Sequence, residues 1–269
     1  MALQYQCDGI RFVHSKQAHP TEGEFDLHVH DSYEILCFVS GNTGYLVEGR
    51  EYNMHPGCLM LMRPAEAHKL LLRGDAEYER YIINFRADAL PPFLQELLGV
   101  FHDRALGEKN RYLIHELNGV DPVSLLQRVL QQSDVIPLRV ALLSALSALL
   151  CATNVAFPNK QSKHDRGDDV GRRLLTYIND NLTTELSLSD ISAHIHLSPS
   201  QLNRVFRDLT GTSVYDYILS KRIIMAQGML EEGEGAVAVC RRCGFGNYSS
   251  FYRLYKKRTG HAPTSPQKP

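Results

Sequence analysis

The hydrophobic period of this chain changes once, near residue 90, and that change limits the fold more than any other feature of its 269 residues. Between about residues 10 and 87, the runs "YEILCFVS", "GYLVEG", "CLMLMR" and "YERYIINF" are short, rich in aromatic and aliphatic residues, and broken by Gly, Asn and Pro. Strand side chains alternate between two faces, so runs of this length closed by turn residues predict an all-β barrel or sandwich. After "LPP" at 90–92, the stretches "FLQELLGVF", "PVSLLQRVLQQ" and "PLRVALLSALSALLCA" space their apolar residues as a helix does. Pro122 and Pro137 stand near the starts of two of them, where a missing N–H costs nothing. Strands followed by helices, rather than alternating with them, read as α+β.

Four segments are expected from this pattern: a β domain over 1–90, a helical segment over 91–153 packed on it, a polar linker over 154–169 ("NVAFPNKQSKHDRGDD"), and an all-helical domain over 170–269. Composition agrees with folded domains, since 43% of residues are hydrophobic and 22% charged. The N-terminus lacks a basic segment leading into an apolar run, and the longest apolar run, 140–152, looks too short to cross a bilayer. A soluble, unexported, cytoplasmic protein without a membrane partner is therefore expected. Six cysteines, mostly isolated in apolar runs, suit buried thiols in a reducing compartment better than a disulfide frame. Net charge is −1, yet residues 170–269 hold 13 Lys and Arg against 8 Asp and Glu. A basic end on an acidic remainder suggests contact with a polyanion.

Inside the basic end one arrangement occurs twice. In "LSLSDISAHIHLSPSQLNRVFRDLTG", Leu188, Ile191 and Ile195 give a short helix its apolar stripe, and His196 falls in a turn. Ser198 then caps a second helix, with Pro199 at its first position and Gln201 completing a capping box. Leu202, Val205, Phe206 and Leu209 form its buried face, leaving Ser200, Gln201, Asn203, Arg204 and Arg207 outside. The second copy, "AVAVCRRCGFGNYSSFYRLYKKRTG", buries Val239 and Cys243, turns at Gly244, and starts its second helix at Asn247. Tyr248, Ser249, Tyr252, Arg253 and Lys256 stay free. Two short helices around a tight turn, the second polar and basic outside, form a helix-turn-helix. Arg can read guanine, Asn or Gln can read adenine, and Lys, Ser and Tyr can anchor phosphates. The rival reading is a helical bundle with solvated basic faces. Cys240 and Cys243 make a CxxC, but no second pair follows at zinc spacing, and both read as core thiols.

With those residues in view, 186–263 resembles the DNA-binding domain of the AraC/XylS family of bacterial transcription regulators. The resemblance rests on "LSPSQLNRVFRDLTG", on Tyr217, Arg222, Ala226 and Leu230 between the copies, and on "GFGNYSSFYRLYKKRTGHAP". It implies DNA contacts by Ser200, Asn203, Arg204 and Arg207, with Gln201 beside them, and by Tyr248, Ser249, Tyr252, Arg253 and Lys256. "LHVHDSYEILCFVSGNTG" at 27–44 in turn resembles the cupin-type sensory barrel of such regulators. His28, His30, Glu34 and Gly41 fit its first motif, and His68 follows as a fourth ligand. "PAEAH" at 64–68 departs from the second motif by one residue and a glycine.

His28, His30, Glu34 and His68 are therefore open to three readings: an effector pocket, a divalent metal site, or plain structural use. What the resemblance implies is a cytoplasmic homodimeric activator that binds double-stranded DNA and RNA polymerase and senses a small molecule, a sugar or related metabolite, with no required cofactor. The alternative is a metal-dependent cupin enzyme with a helical assembly domain.

Overall fold

A computed structural model describes residues 2–21, 25, 27–131, 135–161, 166–167, 169–210 and 212–263. Contacts divide the chain into two units, one of residues 1–25 and 32–166, the other of 26–31 and 167–269.

The first unit is built on strands β1 (Ala2–Cys7), β2 (Ile10–Gln17), β3 (Tyr33–Ser40), β4 (Thr43–Val47), β5 (Arg50–Asn53), β6 (Leu59–Met62), β7 (His68–Leu72) and β8 (Tyr78–Phe85). Four helices follow: α1 (Pro92–Gln95), α2 (Gly99–His102), α3 (Pro122–Gln131) and α4 (Leu138–Ala156). A short strand β9 (Arg111–Tyr112) lies between α2 and α3, and β10 (Arg166–Gly167) comes last. The strands form two sheets, of order β1-β2-β8-β3-β6-β9 and β10-β5-β4-β7.

At β3 and β6 the six-stranded sheet is buried on both faces, and side-chain parity separates two cores. Leu36, Phe38, Met60, Met62 and Tyr78 pack with Tyr45, Val47, Tyr52 and Leu70 of the second sheet, filling the space between the sheets. Ile35, Cys37, Leu59, Leu61, Tyr81 and Ile83 face the other way and join Leu126, Val129, Leu142, Leu146 and Leu149 of α3 and α4. Alternation along a strand requires this division, because successive Cβ atoms point to opposite faces.

Three details differ from the sequence reading. Strand β1 precedes the runs read from about residue 10 yet stays within the expected β domain, whereas β9 lies in the segment expected to be helical and inserts among the helices to pair with Leu59 and Met60. Helix α4 and the 3₁₀ turn Phe157–Asn159 carry regular structure into the stretch read as a polar linker. Taken together, Leu138–Asn159 spans 22 residues with a mean hydropathy of 2.0, long and apolar enough to cross a membrane by those measures alone. The expected limit of 140–152 was too narrow because Val155, Ala156 and Phe157 extend the apolar run. Eight residues of α4 are buried, as a core helix requires.

The second unit contains helices α5 (Asp169–Asp180), α6 (Leu188–Ile195), α7 (Pro199–Thr210), α8 (Val214–Glu231), α9 (Ala236–Arg242) and α10 (Tyr248–Thr259). Leu174, Leu175, Ile178, Ile191, Ile195, Leu202, Phe206 and Tyr217 are buried in its first half. A second cluster joins Ile223 and Ala226 of α8 to Val239, Cys240, Cys243, Phe245, Phe251 and Tyr255. Helix α8 thus serves both helix pairs. At 1.5 Å per residue its 18 residues run about 27 Å.

Candidate nucleic-acid interface and barrel interior

Helices α7 and α10 both begin at side-chain caps. Ser198 Oγ accepts from the Gln201 amide at 3.3 Å, while Gln201 Oε1 accepts from the Ser198 N–H at 3.1 Å and from its hydroxyl at 2.8 Å. Gln201, named among the outward residues, thus commits its carbonyl to the cap. Asn247 Oδ1 accepts from the Ser250 amide at 2.9 Å. On α7, Leu202 and Phe206 are buried, Ser200, Gln201, Arg204 and Arg207 are exposed, and Asn203 is half-buried. On α10, Phe251 and Tyr255 are buried, Ser249, Arg253 and Lys256 are exposed, and Tyr248 and Tyr252 are half-buried. Leu188, read as part of an apolar stripe, is 37% exposed at the first position of α6.

The turns before these helices need unusual backbone. His196 adopts the left-handed conformation with φ of 62°, and Gly244 has φ of 76°. A β-carbon on Gly244 would stand 2.9 Å from the Thr183 carbonyl oxygen and 2.9 Å from Arg222 Nη2. Arg222, 8% exposed on α8, explains the crowding. Its Nε donates to the Leu182 carbonyl at 2.8 Å, Nη2 to Thr184 at 2.7 Å, and Nη1 to Gly244 at 2.7 Å. One guanidinium therefore ties the connection ahead of α6 to the turn ahead of α10. Burial lowers its pKa, so the carbonyls compensate for lost water. Lys221, also buried, donates to Asn179 Oδ1 at 2.5 Å and lies over the Tyr217 ring. Arg258 of α10 bonds to Ser220 of α8 and approaches Asp216 at 3.9 Å.

The CxxC cysteines belong to the core of this unit. Cys243 Sγ lies 3.8 Å from Met229 Sδ, and Cys240 Sγ lies 3.8 Å from the Phe245 carbonyl. Burial pushes the Cys243 thiol up to about 12, against the pull of Arg242.

In the first unit, Glu34 and His68 lie inside the barrel, with His68 Nε2 3.8 Å from Glu34 Oε1. His68 Nδ1 stands 2.7 Å from the Glu66 carbonyl. Asn84 Nδ2 donates to Glu34 Oε2 at 2.8 Å, and the Tyr45 hydroxyl donates to Oε1 at 3.5 Å. Tyr78 and Arg80 complete this polar patch, the Arg80 guanidinium lying 4.9 Å from the Tyr78 ring centroid and 5.2 Å from that of Phe25. Burial pushes Tyr78 up to about 12 in spite of Arg80, and burial also raises Tyr45 well above the ordinary phenol value, with Glu34 adding to the effect. Spacing could not reveal Tyr45, Tyr78, Arg80 or Asn84, since none belongs to a histidine motif. His28 and His30 fall in the 26–31 segment grouped with the other unit, their rings 5.9 Å apart. Neither unit by itself gathers the set of four.

Two capped, basic-faced helices in helix-turn-helix pairs, sharing one linking helix and preceded by a barrel with a polar interior, define a DNA-binding regulator with a ligand domain. Residues 16–150 match the model of the AraC-like ligand binding domain, and 191–268 match that of a helix-turn-helix domain. The chain belongs to the AraC family and is a DNA-binding transcription regulator. It is similar to the arabinose operon regulatory protein of Escherichia coli (strain K12), 26% identical over 86% of this chain and 77% of that one. The HTH-type transcriptional activator RhaS of Klebsiella pneumoniae (strain 342) is 21% identical over 90% of this chain and 87% of its own. Among solved structures, ToxT from Vibrio cholerae O395 covers 95% of this chain and 96% of its own, with 14% identity and a TM-score of 0.39.

Proposed function

We propose that the chain is a one-component, cytoplasmic transcription activator that changes its hold on DNA when its barrel takes up a small molecule. The duplicated, side-chain-capped helix with an exposed basic face carries this reading, because a catalytic barrel has no use for two of them. Ser200, Gln201, Asn203, Arg204 and Arg207 contact one major-groove segment, and Tyr248, Ser249, Tyr252, Arg253 and Lys256 contact the next. Successive turns of B-DNA lie roughly 34 Å apart, a distance comparable with the length of α8. Similarity to a named transcriptional activator supports activation, and hence contact with RNA polymerase.

The effector sits against Glu34 and His68, with Tyr45, Tyr78, Arg80 and Asn84 offering donors and acceptors among aromatic rings. That mixture suits a sugar or a similarly polar metabolite. Uptake shifts the regulator only through a difference in affinity between its conformations. The helices between residues 91 and 153 join two copies, supported by the outer side of α4, where Val140, Ser144, Cys151 and Val155 are exposed and Arg139, paired with Asp8, is the one charged residue of the helix. The protein works by binding rather than by turnover, in keeping with relatives named as regulators.

Genome-wide mapping of DNA bound by the tagged chain tests this. A small set of promoter-proximal sites sharing one motif is expected, and enrichment no greater than in an Arg204→Ala, Arg253→Ala control would end the proposal.

A further inference from the structure

A groove of about 550 Å³ runs beside the outer face of α7. Arg204 and Arg207 form one wall, and Ser213 and Tyr215, in the first turn of α8, form the other, with Leu188 and Asp208 also facing the space. Tyr215 is 67% exposed. Leu188, Tyr215 and Val237 are the large apolar side chains exposed among the described residues of the helical unit, and two of these three line this single groove. An exposed ring beside two exposed guanidinium groups offers a partner a flat apolar face, a hydroxyl and positive charge in one place.

Charge indicates which partner. Two other acidic groups nearby are committed to helix caps: Asp190 accepts from Ser187, and Asp216 accepts from the Ser213 hydroxyl at 2.7 Å. Asp208 is the carboxylate that lines the groove, on the same helix as the two arginines, next to Arg207 and one turn after Arg204. The leading amides of α8, which have no acceptor within their own helix, add partial positive charge at the same wall.

We propose that this groove receives the phosphodiester backbone flanking the bases read by α7, that the Tyr215 hydroxyl donates to a phosphate oxygen there, and that Asp208 opposes the same strand. The proposal rests on α7 being a reading helix. It makes Tyr215 a positioning residue: a phosphate contact fixes register and orientation without carrying sequence information. Asp208 tunes the hold downward, which keeps binding weak enough to be regulated.

The test uses the full chain and a duplex recovered by selection from random DNA. Tyr215→Phe should weaken binding about 3- to 10-fold, the value of one hydrogen bond, without altering base preference or salt slope. Arg207→Ala should lower that slope by about one. Asp208→Asn should tighten binding at low salt. A methylphosphonate scan of the flanking backbone gives the readout that a merely structural role would not move: one phosphate whose neutralisation weakens the parent should leave Tyr215→Phe unaffected. If Tyr215→Phe and Tyr215→Ala bind like the parent and no such phosphate exists, the groove proposal is overturned while α7 keeps its role. If Arg204→Ala also has no effect, the assignment of α7 as a reading helix fails with it.

Discussion

The Arg222 guanidinium of α8 donates to the Gly244 carbonyl at 2.7 Å, joining the linking helix to the turn from which α10 starts. Because the same group also holds Leu182 and Thr184, its removal orphans three carbonyls and unties two helix pairs. Arg222→Met should cost the helical unit about 3–5 kcal/mol, measured by urea titration with far-ultraviolet circular dichroism. Arg222→Lys should recover only part of this, since an ammonium lacks the planar fork.

The two turns should respond in opposite directions to residue exchange. Gly244→Ala meets a positive φ and a backbone oxygen 2.9 Å from the new carbon, and should destabilise by about 1–2 kcal/mol or more. His196→Gly relieves a left-handed backbone and should stabilise by up to about 1 kcal/mol. Thermal melts of the two variants against the parent decide the matter.

Cys240 and Cys243 should resist alkylation at neutral pH, because burial raises both thiols and Cys243 is fully enclosed. Cys151, exposed on α4 in the single chain, should react before them in dilute monomer and be shielded wherever two copies join along that side. Peptide mass mapping after brief iodoacetamide treatment reads the order directly. Cys240→Ala and Cys243→Val should leave DNA affinity intact, whereas a loss of binding by a folded variant would assign the thiols another role.

Acid should act on the barrel through Glu66. Burial favours its neutral form, but Arg104, bound to both carboxylate oxygens at 2.7 Å, and the Gly107 and Arg63 amides outweigh burial and hold its pKa below 4.5. A carboxyl lowered on folding contributes stability above its unfolded pKa and loses it as pH falls through the folded one. The barrel transition should therefore hold its urea midpoint down to the ordinary carboxylate range and weaken below it. Arg104→Met, which strands a buried carboxylate, should cost about 3–5 kcal/mol at neutral pH.

Arg204→Ala and Arg253→Ala should each cost about 1–3 kcal/mol of DNA affinity and relax preference at one base position. Competition binding on a panel of single-base variants measures both effects. A uniform loss across the panel would make these residues phosphate contacts.

Local signals were the legible ones. Pro122 and Pro137 mark the starts of α3 and α4, Ser198 and Asn247 cap α7 and α10, and apolar spacing gives Leu202, Phe206 and Val239 as inward. Hidden were the relations that join distant parts of the chain. Glu66 and Arg104 stand 38 residues apart, and Arg222 reaches carbonyls 40, 38 and 22 residues away. No periodicity encodes such partners. Arg80 and Asn84 look like ordinary outward residues of a half-buried strand until the second sheet turns that face into an interior. Strand β9 escaped notice because two residues carry no period at all.

Strand β3 is shared property. Leu36 and Phe38 belong to the space between the sheets, while their immediate neighbours Ile35 and Cys37 belong to the layer under α3 and α4. Like a drumskin stretched between two chambers, it leaves no slack, for close-packed interiors yield little to compression. A change that displaces the strand from one chamber must carry its other face with it, because one backbone holds both sets of side chains.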